Sequence, residues 1–101
     1  MLSKGKILAV DDTPANLEVL SDILSDAGYH VSTAIDGQRA LRRVPSYQPD
    51  LILMDVMMPE IDGFETCRRL KSDPELAHIP VIFITANADV QSKVEVIENN
   101  E

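Results

Sequence analysis

The sequence predicts an α/β fold in which a doubly wound parallel sheet carries helices on both faces. The first observation is an apolar run at residues 51–54 that ends on Asp55, bounded by turn-forming residues on both sides. A short run of this kind is typical of a strand buried on both faces, as found in parallel sheets. The second observation is that three such runs and one stretch of alternating polarity are interspersed with helix-like segments, an order that favours crossover connections and a parallel sheet.

Length and composition indicate one domain spanning residues 1–101. The chain is 45% hydrophobic and 26% charged, which suits a small globular core. Its net charge of −8 disfavours binding to nucleic acid or to an anionic membrane and favours a cation or a basic partner. The single cysteine, Cys67, excludes an internal disulfide, and we see neither a signal peptide nor a membrane span, so a cytoplasmic location is predicted.

The first strand is predicted at residues 6–10 and is followed at once by Asp11 and Asp12. Thr13 is a suitable N-cap for a helix with Pro14 at its first position, and Gly28 is a suitable C-terminal cap. The apolar positions of this helix recur at spacings of three and four: Leu17, Leu20, Leu24 and Ala27. Residues 29–34 alternate in polarity and carry β-branched side chains, which predicts a strand near the sheet edge.

The second half of the chain repeats the pattern. Asp36-Gly37 begins a short helix that we predict to end at Pro45, and Asp62-Gly63 begins another that runs to about Ser72. Their inward positions are Ala40, Leu41 and Val44 in the first helix and Phe64, Cys67 and Leu70 in the second. The fourth strand is predicted at residues 81–84 and ends on Thr85, and a last helix from about Asn87 uses Val90, Val94 and Ile97.

This order of elements favours the flavodoxin-like strand order 2-1-3-4. Ligands of such sheets bind beyond the carboxyl ends of the strands, where the winding reverses. Asp11, Asp12, Asp55 and Thr85 all follow strands, so they are predicted to meet at one rim. Three neighbouring carboxylates need protons or a cation, and an all-oxygen donor set suits Mg²⁺. A carboxylate can also attack phosphorus to form an acyl phosphate, and Asp55 is the best-placed nucleophile.

Several of these residues also have a purely structural interpretation. Asp12 and Asp62 could cap helices and Asp36 could serve only its turn, while Cys67 fits a small core residue. The Met57 backbone carbonyl could reach the metal. Asp11 and Asp12 stand where a flavodoxin has a Ser/Thr-rich phosphate loop and would repel a flavin phosphate. The P-loop sequence G-x-x-x-x-G-K-[ST] is also absent, which argues against a P-loop nucleotidase, whereas a carboxylate-nucleophile phosphatase stays conceivable.

Three stretches resemble the successive motifs of the response-regulator receiver domain: residues 10–12, residues 53–59 with Asp62-Gly63, and residues 80–86. The resemblance implies that Asp55 accepts a phosphoryl group from a histidine kinase or phosphotransfer protein, and that the chain is not an enzyme. It implies that Asp12, Asp55 and the Met57 carbonyl ligate Mg²⁺, that Asp11 acts largely through water, and that Thr85 bonds the phosphoryl oxygen as the switch residue.

The same resemblance implies a fifth strand ending in a lysine and a fifth helix, which the sequence lacks, so we expect a C-terminally truncated receiver. Lys93 lies within the predicted last helix, and Lys4 and Lys6 lie at the opposite end of the sheet. Strand four is then expected to be an exposed edge that supports a homodimer. The alternative is a degenerate receiver, a protein-interaction module with weak or no phosphorylation.

Overall fold

The computed structural model describes residues 4–84, together with the backbone of residues 94–96. Strands and helices alternate through most of this part. The strands are β1 Lys6–Val10, β2 His30–Ala34, β3 Leu51–Asp55, β4 Val81–Ile84 and β5 Val94–Val96. The helices are α1 Pro14–Asp26, α2 Gly37–Tyr47 and α3 Gly63–Lys71.

The sheet has the order β2-β1-β3-β4-β5, so the predicted order 2-1-3-4 is confirmed for the first four strands. These four strands are parallel, with Val10 paired to both Ala34 and Met54, and Asp55 paired to Ile84. Strand β2 forms one edge, as its alternating sequence predicts. The register brings the carboxyl ends of all four parallel strands to the same side of the sheet.

The edge of β4 is not open, which corrects two predictions. Residues Val94–Val96 pair with it in antiparallel fashion, with Ile84 opposite Val94 and Ile82 opposite Val96. The sequence predicts a helix through Val94, but two β-branched valines next to a row of unpaired backbone groups suit a strand better. A short antiparallel strand therefore covers this edge, but it does not end in a lysine as the fifth strand implied by the resemblance does. A homodimer through an exposed β4 edge loses its physical basis. The other positions of the predicted helix, Asn87, Val90 and Ile97, lie outside the described residues.

Helix α1 begins and ends as its sequence predicts. Thr13 occupies the N-cap position and Pro14 the first turn, although the Thr13 side chain makes no capping hydrogen bond. At the other end Gly28 has φ +104°, a left-handed conformation that costs a glycine little. The amide of Tyr29 then donates to the Leu24 carbonyl at 3.1 Å, which satisfies a carbonyl of the last turn and directs the chain into β2.

Helix α2 does not end at Pro45, contrary to the prediction. It continues to Tyr47 and closes at Gln48, whose left-handed backbone has φ 55° and whose amide donates to the Val44 carbonyl at 2.8 Å. Proline removes one backbone donor from the last turn, but its φ is compatible with a helix, and Pro45 points toward solvent. Helix α3 ends at Lys71 with Ser72 as its cap, as predicted.

The core lies between the sheet and its helices and is built from the residues that the sequence places inward. Fully buried side chains include Leu8 and Ile52 from the sheet, Val44 from α2 and Leu70 from α3. Phe64 and Ala27 are exceptions. Phe64 is 49% exposed and packs its ring against buried Phe83 with 4.8 Å between centroids, and Ala27, at the C-cap of α1, is exposed. Cys67 is a buried core residue, in agreement with its structural interpretation.

Ile52→Ala is expected to lower the free energy of unfolding by about 3–4 kcal/mol, because it leaves a cavity in the central strand where the side chain is fully buried. Val19→Ala is the matched control. Val19 lies on α1 and is 57% exposed, so a change of less than about 0.5 kcal/mol is expected. Denaturant unfolding of both variants measures the difference, and equal losses would contradict the assignment of Ile52 to the core.

Candidate functional site

Three carboxylates converge where β1 and β3 end. Oxygen atoms of Asp11, Asp12 and Asp55 all lie within 4.8 Å of one another. The parallel register produces this cluster, because Val10 pairs with Met54 and the acids follow these two residues along adjacent strands. The predicted meeting of the three acids at one rim is confirmed, while their roles in binding or chemistry stay predictions.

Asp11 is held by the first turn of α1. Its Oδ1 accepts a hydrogen bond from the Thr13 backbone amide at 2.8 Å, and the Asn16 side-chain amide lies 3.3 Å from its Oδ2. The side chain is 6% exposed, whereas Asp12 is exposed to solvent. These bonds orient Asp11 within the cluster and leave Asp12 as the member most accessible from solvent.

Asp55 lies deeper, at the end of the central strand, and is 7% exposed. Its Oδ1 accepts a hydrogen bond from the Met57 amide at 3.2 Å, which fixes the carboxylate plane. Burial and the charge of Asp11 raise the pKa of Asp55 to about 6, and the Met57 amide opposes this rise. The charge of Asp12 and a hydrogen bond to its carboxyl add smaller increases to the same pKa.

The cluster fits a hard divalent cation. All of its side-chain donors are oxygens, and a positive charge would relieve the repulsion that raises the pKa of Asp55. Mg²⁺ typically binds through one or two carboxylates and retains several waters, which the exposed side of Asp12 would admit. The donor set of the site therefore supports Mg²⁺ binding.

Two other candidate acids have structural roles. Asp36 caps α2 by accepting from the Arg39 amide at 2.8 Å, and Asp62 caps α3 by accepting from the Glu65 amide at 2.8 Å. The structure thus separates the capping acids from the clustered ones. Asp12, which could also have capped a helix, belongs to the cluster.

Gly63 packs closely against the backbone of Asp55, a role that the sequence did not indicate. A Cβ atom at this position would collide with the backbone oxygen of Asp55 and would lie 3.0 Å from Met54 Cγ. The Gly63 amide also donates to the Val56 carbonyl at 2.9 Å. Asn16 is the second residue missed, and its position in the first helical turn five residues after Asp11 is the signal that could have identified it.

Gly63→Ala is expected to lower the free energy of unfolding by about 1–3 kcal/mol, since the added methyl group must displace the backbone beneath Asp55. It should also weaken Mg²⁺ binding to the folded protein, measured by calorimetry. Gly37→Ala is the control, because its Cβ would collide with the side chains of Thr66 and Ile61 and not with the backbone of a clustered acid. Destabilisation by both variants with unchanged Mg²⁺ affinity in both would contradict a positioning role for Gly63.

The remaining predicted site residues are only partly accounted for. Thr85 and Lys93 lie outside the described residues. Met57 follows Asp55 and is 74% exposed, and its amide rather than its carbonyl makes the contact described above. Lys6 lies at the opposite end of the sheet, as predicted, with its Nζ 3.2 Å from the Tyr47 carbonyl. Among the described helices, none has the length and apolar character that a membrane span requires.

Comparison with known proteins gives a consistent result. A family model for the response regulator receiver domain matches residues 7–100. The chain is similar to the response regulator PleD of Caulobacter vibrioides, with 52% identity over 82 residues, which is 81% of this chain and 18% of PleD. It is also similar to the polar-differentiation response regulator DivK of Brucella anthropi, with 40% identity over 81% of this chain and 67% of DivK.

A solved structure shows the same fold. The signal receiver domain of a signal transduction histidine kinase from Syntrophus aciditrophicus is 44% identical, with a TM-score of 0.77, covering 85% of this chain and 67% of that one. The matches to curated relatives are uneven in extent, since the chain spans less than a fifth of the length of PleD. The similarity therefore concerns the receiver part of such proteins.

Proposed function

We propose a phosphoacceptor function from one premise: the chain belongs to the response-regulator receiver family. Residues 1–101 then act as one receiver domain of a two-component phosphorelay, in which Asp55 takes a phosphoryl group from a histidine kinase or phosphotransfer protein. The observation that carries this proposal is the convergence of Asp11, Asp12 and Asp55 at the end of the sheet. The receiver is a signalling element and not an enzyme in its own right.

In the proposed transfer a carboxylate oxygen of Asp55 attacks the phosphorus atom. An acyl phosphate bond forms, the bond from phosphorus to the donor nitrogen breaks, and the imidazole keeps the electron pair and takes up a proton. The Met57 amide holds Asp55 in one orientation during this step, and burial keeps bulk water from the new bond. Thr85 would donate a hydrogen bond to a phosphoryl oxygen.

The residues that would hold Mg²⁺ are Asp12, Asp55 and the Met57 carbonyl, with Asp11 acting largely through water. The ion supplies charge neutralisation for the phosphoryl oxygens. Asp11 is well suited to an indirect role because Thr13 and Asn16 already occupy its oxygens. The intact cluster supports a working receiver over a degenerate one, since a module kept only for protein binding has no need to gather three repelling acids.

A protein donor suits the surface around the rim. Exposed apolar side chains are found on α1 and next to Asp55, namely Val19 at 57%, Ile23 at 59% and Met57 at 74% exposure. Scattered apolar residues are common on protein surfaces, but Val19 and Ile23 lie on the helix that follows Asp11 and Asp12, and Met57 lies two residues after Asp55. They provide contact area for a partner that delivers its phosphoryl group to Asp55.

Acetyl phosphate, a small phosphoryl donor, tests the proposal without a cognate kinase. We expect the purified chain to gain one phosphoryl group in Mg²⁺, to gain none in EDTA, and to lose the group in hydroxylamine, which cleaves acyl phosphates. Intact-mass spectrometry follows all three reactions. Absence of modification in Mg²⁺, with calorimetry showing that the metal binds, would refute the phosphoacceptor function and favour a binding module.

A further inference from the structure

A basic cleft lies on α2, away from the acidic rim. Its lining residues, here called the arginine cleft, are Arg39, Arg42, Arg43 and Ser46, and the cleft has a volume of about 370 Å³. These positions are separated by three, one and three residues, so they share one face of the helix. The opposite face carries buried Ala40 and Val44, which anchor the helix on the core.

The positive charge of this cleft is poorly compensated. Helix α2 contains three arginines and no acidic residue, in a chain whose net charge is −8. Arg39 pairs with Asp36 at 2.7 Å, and Arg43 donates to the Ser32 hydroxyl at 3.2 Å. Arg42 makes no hydrogen bond or ion pair with the residues that the structure describes. Each guanidinium offers five N–H donors, so most donors of the cleft face solvent.

Helix α3 provides a direct contrast. Arg68 and Arg69 each lie one turn after Glu65, and both bind its carboxylate, at 2.7 and 2.8 Å. Both neighbouring arginines of α3 thus share an ion-pair partner, whereas on α2 only Arg39 has one. Like charges three and four residues apart weaken a helix slightly, so an anion bound on this face of α2 would stabilise the helix.

The chemistry of the lining selects the class of anion. Guanidinium groups bind phosphate and carboxylate oxygens through paired N–H donors, and they favour phosphate when several forks converge. The Ser46 hydroxyl donates to the Arg43 carbonyl at 3.2 Å. Within the described part of the chain, the lining residues include no apolar side chain to receive a base or an acyl chain. We propose that the arginine cleft binds a compact anion that carries two or more phosphate groups.

The proposed site is independent of the phosphoacceptor function. Its residues lie on the side of α2, whereas the acids lie at the ends of β1 and β3. Anion binding there can therefore be measured in metal-free buffer, in which the acidic rim repels the same ligand. This separation allows the two proposals to fail or succeed separately.

Inorganic pyrophosphate in EDTA-containing buffer is the probe, and ¹⁵N–¹H NMR of the whole chain is the readout. We expect saturable shifts of the arginine side-chain Nε–Hε resonances and of the α2 amides. The double variant Arg42→Gln/Arg43→Gln should weaken binding at least about tenfold, because it removes two charge-assisted contacts. The matched control Arg68→Gln/Arg69→Gln, on α3, should leave the affinity within about twofold of the parent, because neither residue lines the cleft and both are paired with Glu65.

Three results would overturn the proposal. Shifts that grow linearly without saturation would indicate nonspecific attraction, and equal weakening by the α2 and α3 variants would remove the specificity of the cleft. Tighter binding of a hexaglutamate peptide than of pyrophosphate would assign the surface to an acidic protein segment instead. Melting temperatures of both double variants would verify that they are folded. All four arginines are exposed, so we expect both variants to fold.

Discussion

Asp55→Asn is expected to reduce phosphoryl uptake from acetyl phosphate to background. The carboxamide keeps the shape of the side chain but loses the anionic oxygen that would attack phosphorus, so no acyl phosphate can form. Asp55 lies at the end of the central strand and is 7% exposed, with no second carboxylate on β3 to replace it. Intact-mass spectrometry of the parent and the variant, in Mg²⁺ and at equal donor concentration, measures the loss.

Two control variants define what the loss means. Asp26→Asn changes an exposed carboxylate at the end of α1 and should leave phosphorylation unchanged. Asp12→Asn keeps the nucleophile but removes a proposed metal ligand, so phosphorylation should be slowed by about tenfold or more without being abolished. Phosphorylation of Asp55→Asn at the parental rate would place the acceptor elsewhere and would remove the central claim about this rim.

The second large effect is a dependence of stability on Mg²⁺ that changes with pH. The pKa of Asp55 is raised to about 6 from an ordinary value of 3.8, so between these values the folded protein holds a proton that the unfolded chain releases. The stability of the metal-free protein should therefore fall as the pH rises through this window, and it should be lower above it. A cation bound only to the folded state restores stability by mass action.

We expect Mg²⁺ to raise the melting temperature by several degrees at pH 8 and much less at pH 5. About 1 kcal/mol shifts the melting temperature of a domain of this size by roughly 4–8 °C. Asp55→Asn should raise the melting temperature in EDTA at pH 8, because it removes one of the three repelling charges. It should also reduce the rise in melting temperature that Mg²⁺ causes. The exposed Asp22 provides the control Asp22→Asn, which should preserve the full response.

A response to Mg²⁺ of equal size at pH 5 and pH 8 would contradict this account, since protonated Asp55 should compete with the metal. A metal-free protein that becomes more stable between pH 5 and pH 7 would contradict the raised pKa itself. Differential scanning fluorimetry across this range, with and without EDTA, distinguishes these cases.

Much of the fold follows from local pattern. Three of the four parallel strands occur where short apolar runs predict them, and β2 occurs where alternating polarity predicts it. Strands β3 and β4 have the predicted bounds because turn residues flank both runs. The sequence was less informative at Pro45 and at Val94, where local preference predicts the end of one helix and the middle of another. In both places tertiary context prevails, through an exposed proline that costs the last turn one donor and through the unpaired edge of β4.

The functional site also combines features that the sequence predicts with features that it does not. That Asp11, Asp12 and Asp55 would meet could be predicted, because acids that follow adjacent parallel strands must emerge at one edge. Which acids would only cap helices could not, since Asp12, Asp36 and Asp62 all precede helices in the sequence. The roles of Gly63 and Asn16 also depend on distances between segments, which periodicity does not contain.

By itself the sequence determined the order of strands and helices through β4, the parallel sheet and the edge at which its acids gather, because these follow from hydrophobic periodicity and from the direction of the chain. Only the tertiary structure decided the rest. The raised pKa of Asp55, the pairing of Val94–Val96 with β4 and the uncompensated arginines of α2 each depend on which groups lie within a few ångströms of one another. Electrostatic and hydrogen-bonding energies fall steeply with distance, so they depend on how the folded chain brings these groups together.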